Sequence, residues 1–209
     1  MNKAKKVRDI LRYLGSAYPD AKIALKYKNN IQLLVAVILS AQCTDKKVNE
    51  VTATLFKKYK TVGDFADASR TAFEKEVHAC GFYRAKTRNI IAAAKMIRRE
   101  YGGVLPRTMD KMLRIPGVAR KTANVVLGNA YGVVEGIAVD THVKRFANIC
   151  GLSSHHDPVK IEQDLMRLFP KKDWFALTYR VINHGRASRR KEHRGEPCGL
   201  RVLCHAPDF

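Results

Sequence analysis

The 209-residue sequence predicts an all-α protein, and two observations support that prediction. Apolar residues recur every three or four positions in nearly every segment, which is the period of an amphipathic helix. Segments that alternate strictly between apolar and polar residues, as a half-buried strand does, are absent from the sequence. The pattern indicates about ten helices around a substantial hydrophobic core, which a chain of this length can bury.

The helices can be followed in order along the chain by their apolar faces. The run LLVAVILSA at 33–41 is apolar on all sides, which is typical of a helix buried in the core. The remaining faces, in chain order, are Val7, Ile10, Leu11 and Leu14; Val48, Val51, Leu55 and Tyr59; Ile90, Ala94, Ile97 and Tyr101; and Trp174, Leu177 and Val181.

Capping residues and glycines mark the boundaries of these helices. Asp45 and Ser69 are predicted N-caps, and Asp157 before Pro158 fits an N-cap followed by proline at the first helical position. The polar, basic and weakly periodic segment 186–209 is expected to be an irregular surface tail. Glycines follow the predicted ends of two helices, at Gly102, Gly103 and Gly151.

The charge balance indicates the class of partner. Lysine and arginine together number 39 against 19 acidic residues, for a formal net charge of +20. Such an excess favours a polyanionic partner, most often nucleic acid, over a merely soluble basic protein. The longest apolar run is shorter than the roughly 20 residues that cross a bilayer. The N-terminus is charged and its apolar residues are spaced as on a helix face, so we expect no signal peptide. We therefore expect a cytoplasmic protein, nucleoid-associated if it is prokaryotic, with no membrane partner.

The segment IPGVAR at 115–120 is the first candidate for a binding site. It joins a short predicted helix at about 109–114 to a longer one at about 120–131. Gly117 permits a tight turn and a close approach to a ligand. The N–H groups that begin the second helix, together with Arg120, would then form a phosphate site. An ordinary corner between two helices is the alternative, and the net charge favours phosphate binding.

Lys121 and Asp140 are the candidate chemical groups near this hairpin. Helical spacing places Lys121 at the edge of the buried face, beside small residues. Partial desolvation there would favour the neutral amine that a nucleophile requires, although the helix alone favours a plain phosphate-contacting lysine. Asp140 precedes a helix at roughly 141–150 and is a predicted N-cap. A carboxylate held in that way could also stabilise a cationic sugar or accept a proton.

The whole segment 115–146 resembles the signature of the endonuclease III branch of the helix–hairpin–helix DNA glycosylases. The hairpin, the lysine, the Gly/Pro-rich loop and the aspartate occur in the family's order and spacing. Further matches at 33–56, 80–97 and 182–186 extend the resemblance over most of the chain. It implies a two-lobed all-α fold with DNA in the cleft between the lobes. The lobes would be a six-helix barrel at 23–133, containing the hairpin at about 109–131, and a second helical domain made of 1–22 and 134–209 with a basic C-terminal loop.

The resemblance also implies an activity. The family flips a damaged base out of the duplex, and its bifunctional members both remove the base and cleave the strand. Lys121 matches the nucleophile that attacks the sugar C1′, and Asp140 matches the aspartate that assists it. We expect a monomeric enzyme that acts on oxidised pyrimidines in damaged double-stranded DNA. A monofunctional or mismatch-specific glycosylase and a non-catalytic DNA-binding protein are alternatives, which the presence of both residues disfavours.

Further residues match the family's DNA contacts. Gln42 corresponds to the residue that fills the gap left by the flipped nucleotide, and its alternative is a polar residue at a helix C-terminus. Phe82 lies where the family has an apolar wedge, usually leucine, and core packing is its alternative. Ala119 replaces the second glycine of the hairpin, where a methyl group should be tolerated. The other expected DNA contacts are Arg84, Lys86, Gly117, Arg120, Thr122 and His142.

The C-terminal segment departs from the family pattern. Many relatives bind a 4Fe–4S cluster through four cysteines spaced C-x6-C-x2-C-x5-C, and such a cluster needs four thiolates. Only Cys198 and Cys204 occur in this segment, and Arg189 stands where the first ligand belongs. We therefore predict that the cluster is absent and that no other cofactor is required. A zinc site formed by these two cysteines with His193 and His205 is the alternative, although its spacing is poor.

Overall fold

The computed structural model describes residues 3–192, with side chains described as far as residue 188. Eleven α-helices and two 3₁₀ turns occupy this range, which contains no strand, so the all-α prediction is confirmed. Within these residues no helix combines the length and the apolar character needed to cross a membrane. The helices are α1 Lys3–Ala17, α2 Asn30–Leu39, α3 Asp45–Lys58, α4 Val62–Ala66, α5 Arg70–Val77, α6 Tyr83–Tyr101, α7 Met109–Leu113, α8 Arg120–Tyr131, α9 Thr141–Ile149, α10 Pro158–Leu168 and α11 Trp174–Glu192.

The chain forms two compact units, and the first is Ala24–Val133, called here the hairpin unit. Its central helix is α2, in which every residue after Asn30 is buried, as the continuous apolar run predicts. The helix packs against α3, α6 and α8. Tyr59 stacks on Phe65 with ring centroids 5.4 Å apart, and Phe73 packs edge-on against both rings. This core holds α6 and α8, which carry most of the candidate site.

The second unit, called here the terminal unit, combines the described residues up to Ile23 with those from Val134 to Glu192. Helix α1 packs against α10 and α11, and α9 packs against the same two helices. The predicted faces of α1 and α11 meet in this core, where Ile10, Leu14 and Leu177 are completely buried. Lys6 extends from α1 to donate a hydrogen bond of 2.7 Å to the carbonyl of Cys150, at the end of α9.

Several helix boundaries follow the sequence signals, and two do not. Asp157 is the N-cap of α10, where its carboxylate accepts from Val159 N and Lys160 N. Asp45 is not a cap, because Thr44 caps α3 and accepts from Lys47 N, which leaves the aspartate in the first turn. The expectation of an irregular tail from residue 186 is also wrong as far as Glu192, since α11 continues to that residue.

Candidate nucleic-acid interface and active site

The predicted hairpin is present between α7 and α8, within one residue of the expected boundaries. Val118 N–H donates to the carbonyl of Ile115 at 3.1 Å, which closes the turn. Gly117 has φ +79°, a conformation that glycine adopts without steric strain. A Cβ at this position would lie 2.8 Å from the Cβ of Asn89 on α6. The turn therefore requires glycine both for its backbone and for its contact with α6.

The N-terminus of α8 offers donors to an anion. Ala119 is the N-cap, and no side chain of the cap position accepts from the first-turn N–H groups. The first turn contains no acidic residue and begins with Arg120 and Lys121. The backbone N–H groups of the first turn, the positive end of the helix dipole and the basic side chains together favour a phosphate. Ala119 has φ −91°, so alanine fits there without strain, as expected.

Lys121 is exposed in the first turn of α8, whereas the six residues 123–128 are buried. Thr122 is half-buried beside it. The sequence placed Lys121 at the edge of the buried face with partial desolvation, and the structure corrects that expectation. Its side chain projects away from the core because the helix turns its apolar side toward α2 and α7. In the protein alone, the amine is accessible to solvent and to a docked ligand.

Asp140 is the N-cap of α9, as predicted. Its Oδ1 accepts a hydrogen bond of 2.9 Å from Val143 N–H, which holds the half-buried carboxylate in one orientation. His142 lies two residues further along the chain, against the backbone of α11, where a Cβ at Gly185 would be 2.3 Å from its Nδ1. The segments DTH and HGR of the sequence thus meet in the terminal unit, while Lys121 belongs to the hairpin unit.

Two exposed residues of the hairpin unit have unusual backbone conformations. Gln42 has φ +51° and Phe82 has φ +45°, and they are the positive-φ residues other than glycine in the described part of the chain. Such conformations are energetically unfavourable for bulky side chains and are often associated with function. Phe82 is 66% exposed, so core packing is excluded for it. Gln42 lies three residues beyond the end of α2, and Arg84 is exposed in the first turn of α6.

Lys86 is not on the surface, so the prediction that it contacts DNA directly is wrong. The residue is only 5% exposed. Its Nζ donates hydrogen bonds of 2.8 Å to the carbonyls of Leu39 and Cys80. Burial lowers the pKa of the Lys86 ammonium. The sequence did contain a signal, because Lys86 shares the helical spacing of Ile90, which is buried on the same face of α6.

The cysteines of the described region do not form a metal centre. Cys43 and Cys80 lie next to each other, and burial together with the neighbouring Cys43 raises the pKa of the Cys80 thiol to about 11. Across residues 3–188, no three His, Cys, Asp or Glu side chains are grouped as metal ligands would be. The residues that bear on the cluster and zinc predictions, Arg189, His193, Cys198, Cys204 and His205, lie outside the described side chains.

Comparisons with known proteins agree with this arrangement. Residues 35–171 match the family model of the HhH-GPD superfamily of base excision DNA repair proteins. The chain is 46% identical over 205 residues to endonuclease III of Synechocystis sp., covering 97% of this chain and 93% of that protein. It is 42% identical over 202 residues to endonuclease III of Bacillus subtilis, covering 96% of this chain and 92% of that protein. A trapped endonuclease III–DNA covalent intermediate superimposes with a TM-score of 0.85 at 40% identity, covering 90% of this chain and 88% of that one.

Proposed function

The chain belongs to the HhH-GPD superfamily of base excision DNA repair proteins, and we propose that Lys121 and Asp140 are its catalytic residues. The protein is a bifunctional DNA glycosylase and AP lyase of base excision repair. One observation carries the assignment of the nucleophile. Lys121 is an exposed amine in the first turn of α8, directly behind a glycine hairpin, in a chain 40% identical to an enzyme that was trapped in a covalent DNA intermediate.

The hairpin supplies the grip on DNA. A phosphate placed at the start of α8 would accept from the backbone N–H groups and lie close to Arg120. Gly117 allows the strand to approach the backbone closely, and Ala119 and Thr122 flank the same turn. Contacts of this kind position the protein on DNA without reading its bases. DNA docking over the exposed Lys121 would also exclude water, which supplies the desolvation that the protein alone lacks.

The first chemical step makes a bond to the sugar. The lone pair of the neutral Lys121 Nζ attacks C1′, the C1′–N bond to the damaged base breaks, and the base leaves with the bonding pair and acquires a proton. Opening of the sugar ring then gives a protonated imine between Lys121 and C1′. Loss of a proton from C2′ expels the 3′ phosphate by cleavage of the C3′–O bond. Water finally hydrolyses the imine and releases the lysine.

Asp140 supplies a negative charge and a proton acceptor during these steps. Its carboxylate is an acceptor held by Val143 N–H, so little reorganisation is needed when a positive charge develops nearby. It would stabilise the cationic sugar and accept a proton from the attacking amine. Gln42 and Phe82, both exposed, would fill the gap left by the flipped nucleotide and separate the neighbouring bases. His142 and Arg84 complete the proposed DNA contacts.

Three further properties belong to the proposal. The substrate is an oxidised pyrimidine in duplex DNA, and the enzyme acts as a monomer in the cytoplasm, where it has access to DNA. No iron–sulfur cluster takes part, because two thiolates, Cys198 and Cys204, do not satisfy a cluster that needs four. None of the steps above requires a metal, so a protein purified without iron should retain full activity.

Borohydride trapping tests the assignment. Borohydride reduces the imine to a stable amine, so a duplex with a single thymine glycol should become covalently attached to the wild-type protein. Lys121→Ala should give no adduct while keeping its affinity for DNA. Lys111→Ala removes a charge from the same hairpin without removing the nucleophile, and the adduct should persist. An adduct of wild-type yield in Lys121→Ala would refute the assignment, and stoichiometric iron in the active protein would refute the absence of the cluster.

A further inference from the structure

The segments that carry Gln42 and Phe82 need an explanation for their strained conformation. We call residues 40–43 the Gln42 segment and residues 80–82 the Phe82 segment. Both side chains are exposed, and both backbones have positive φ values. Neither residue is glycine, so the conformation persists only if the surrounding structure holds it. A phenylalanine that is 66% exposed gains little packing energy in the free protein to offset its strained backbone.

The hydrogen bonds at the end of α2 show what holds the Gln42 segment. The last four carbonyls of a helix have no partner within it. Ser40 N–H donates to Ala36 O and the Ser40 hydroxyl donates to Val37 O, while Ala41 N–H donates to Ile38 O at 3.4 Å. The fourth carbonyl, that of Leu39, accepts from Lys86 Nζ at 2.8 Å. Lys86 therefore completes the C-terminus of α2, where a positive charge also complements the helix dipole.

The same ammonium holds the Phe82 segment. Lys86 Nζ donates to the carbonyl of Cys80, the last residue of the 3₁₀ turn His78–Cys80. The carbonyls of Leu39 and Cys80 are thus joined by a single group, although 41 positions separate these two residues in the sequence. The Cys43 and Cys80 thiols also lie side by side. The two segments are consequently neighbours at one edge of the hairpin unit.

Burying a charged ammonium is unfavourable, so its presence has to be explained by what it bonds. An apolar side chain at position 86 would extend the buried face of α6 without desolvating a charge. Lysine instead supplies donors to two carbonyls that would otherwise be buried without partners. We propose that Lys86 is a positioning residue, whose ammonium holds the Gln42 and Phe82 segments together so that both side chains enter the duplex as one wedge. This inference rests on the proposed function, because it concerns the extrusion of the damaged nucleotide.

The test measures wedge insertion without any chemistry. The substrate is a duplex with a tetrahydrofuran abasic analogue, which cannot form an imine, opposite 2-aminopurine, whose fluorescence rises when it is unstacked. Lys86→Met removes both hydrogen bonds, and Lys95→Met makes the same change at an exposed position on the same helix. We expect Lys86→Met to slow the fluorescence rise on the order of tenfold or more, since a misplacement of about 1 Å can have effects of this size. Lys95→Met should behave as wild type.

Three comparisons separate positioning from a purely structural role. In a Gln42→Ala/Phe82→Ala background, adding Lys86→Met should change the rate little, because residues that act as a unit are not additive. Trapping on a single-stranded abasic oligonucleotide, which has no duplex to open, should survive Lys86→Met and report that the variant is folded. Lys86→Arg, which keeps a charged donor, should recover part of the rate.

Specific outcomes would overturn the inference. One is an unchanged rate of fluorescence rise in Lys86→Met. Another is an equal loss of that rate when Lys86→Met is added to the wild type and to the Gln42→Ala/Phe82→Ala variant. The third is a loss of trapping on the single-stranded oligonucleotide as large as the loss of the fluorescence rate. A wild-type protein that opens the duplex but forms no borohydride adduct would refute the lyase function and leave the positioning role intact. The failure of one proposal is therefore distinguishable from the failure of the other.

Discussion

Asp140 combines a structural role with a proposed catalytic one, and two substitutions separate them. Asparagine caps a helix about as well as aspartate, so Asp140→Asn should keep the hydrogen bond from Val143 N–H. It removes the charge, which contributes about 0.3–1 kcal/mol at a helix N-terminus. Asp140→Ala also removes the cap, at a further cost of about 1 kcal/mol. With roughly 2–4 °C of Tm per kcal/mol for a chain of this size, alanine should lower the Tm by about 2–4 °C more than asparagine.

Catalytic activity, unlike the Tm, should fall to a similar extent in the two variants. Both substitutions remove the carboxylate, so both should slow single-turnover release of thymine glycol by about 10²- to 10⁴-fold, the usual contribution of a positioned acid or base. Asp157 provides the matched control, because it caps α10 with two hydrogen bonds. Asp157→Ala should lower the Tm comparably to Asp140→Ala and leave base release unchanged. The assay combines thermal melting with rapid-quench measurement of base release on each variant.

Three results would refute this reasoning. Wild-type base release by Asp140→Asn would show that the carboxylate has no role in catalysis. Equal losses of Tm in Asp140→Asn and Asp140→Ala would show that charge, rather than the hydrogen bond to Val143, provides the capping energy. A drop in activity for Asp157→Ala as large as for Asp140→Ala would attribute both effects to general instability.

Further predictions concern the hairpin, the terminal unit and salt. Gly117→Ala adds about 1–2 kcal/mol of left-handed strain and forces Asn89 to move, so melting and duplex titration should show lower stability and weaker binding. Gly132 also has a positive φ, +66°, but an added Cβ there would have no atom within 4 Å, so Gly132→Ala should lower the Tm without weakening duplex binding. Gly185→Ala would displace the His142 ring, because its Cβ would lie 2.3 Å from Nδ1, and duplex affinity should fall. Duplex affinity should decrease linearly in log–log form with salt, with a slope of about −0.9 per phosphate contacted, and a flat titration would exclude phosphate binding.

The predictions that succeeded rest on signals contained within one or two helical turns. The apolar run that begins at Leu33 is buried as far as Leu39, the end of α2, because no face of the helix is polar there. Asp157 caps α10, and Asp140 caps α9, because a short acceptor before an amphipathic segment reaches the first free N–H groups. The hairpin around Gly117 follows from the same local chemistry. These interactions join residues at most four positions apart, so the sequence alone contains them.

The tertiary structure decided the orientation of individual side chains. Lys86 and Arg84 are basic residues of the same helical turn, and in the sequence only the helical spacing that Lys86 shares with Ile90 distinguishes them. Lys86 is buried where it donates to the carbonyls of Leu39 and Cys80, which lie 47 and 6 positions before it in the sequence and meet beside α6 in the fold. Phe82 is 66% exposed, although Cys80, two residues earlier, is buried in the core. Lys121 is more exposed than its helical spacing indicated, since the face of α8 is set by the helices packed against it.

The sequence by itself therefore determined the helices, the caps at Asp140 and Asp157 and the hairpin, and its resemblance to a known family supplied Lys121 and Asp140 as the proposed catalytic residues. The packing of the helices decided that Lys86 is buried and that Phe82 is exposed. It also decided which glycines have no room for a side chain, such as Gly185, where His142 occupies the space. The physical reason is the range of the interactions. Helix periodicity and capping act between near neighbours in the chain, whereas burial and side-chain hydrogen bonding depend on segments that meet only after the chain has folded.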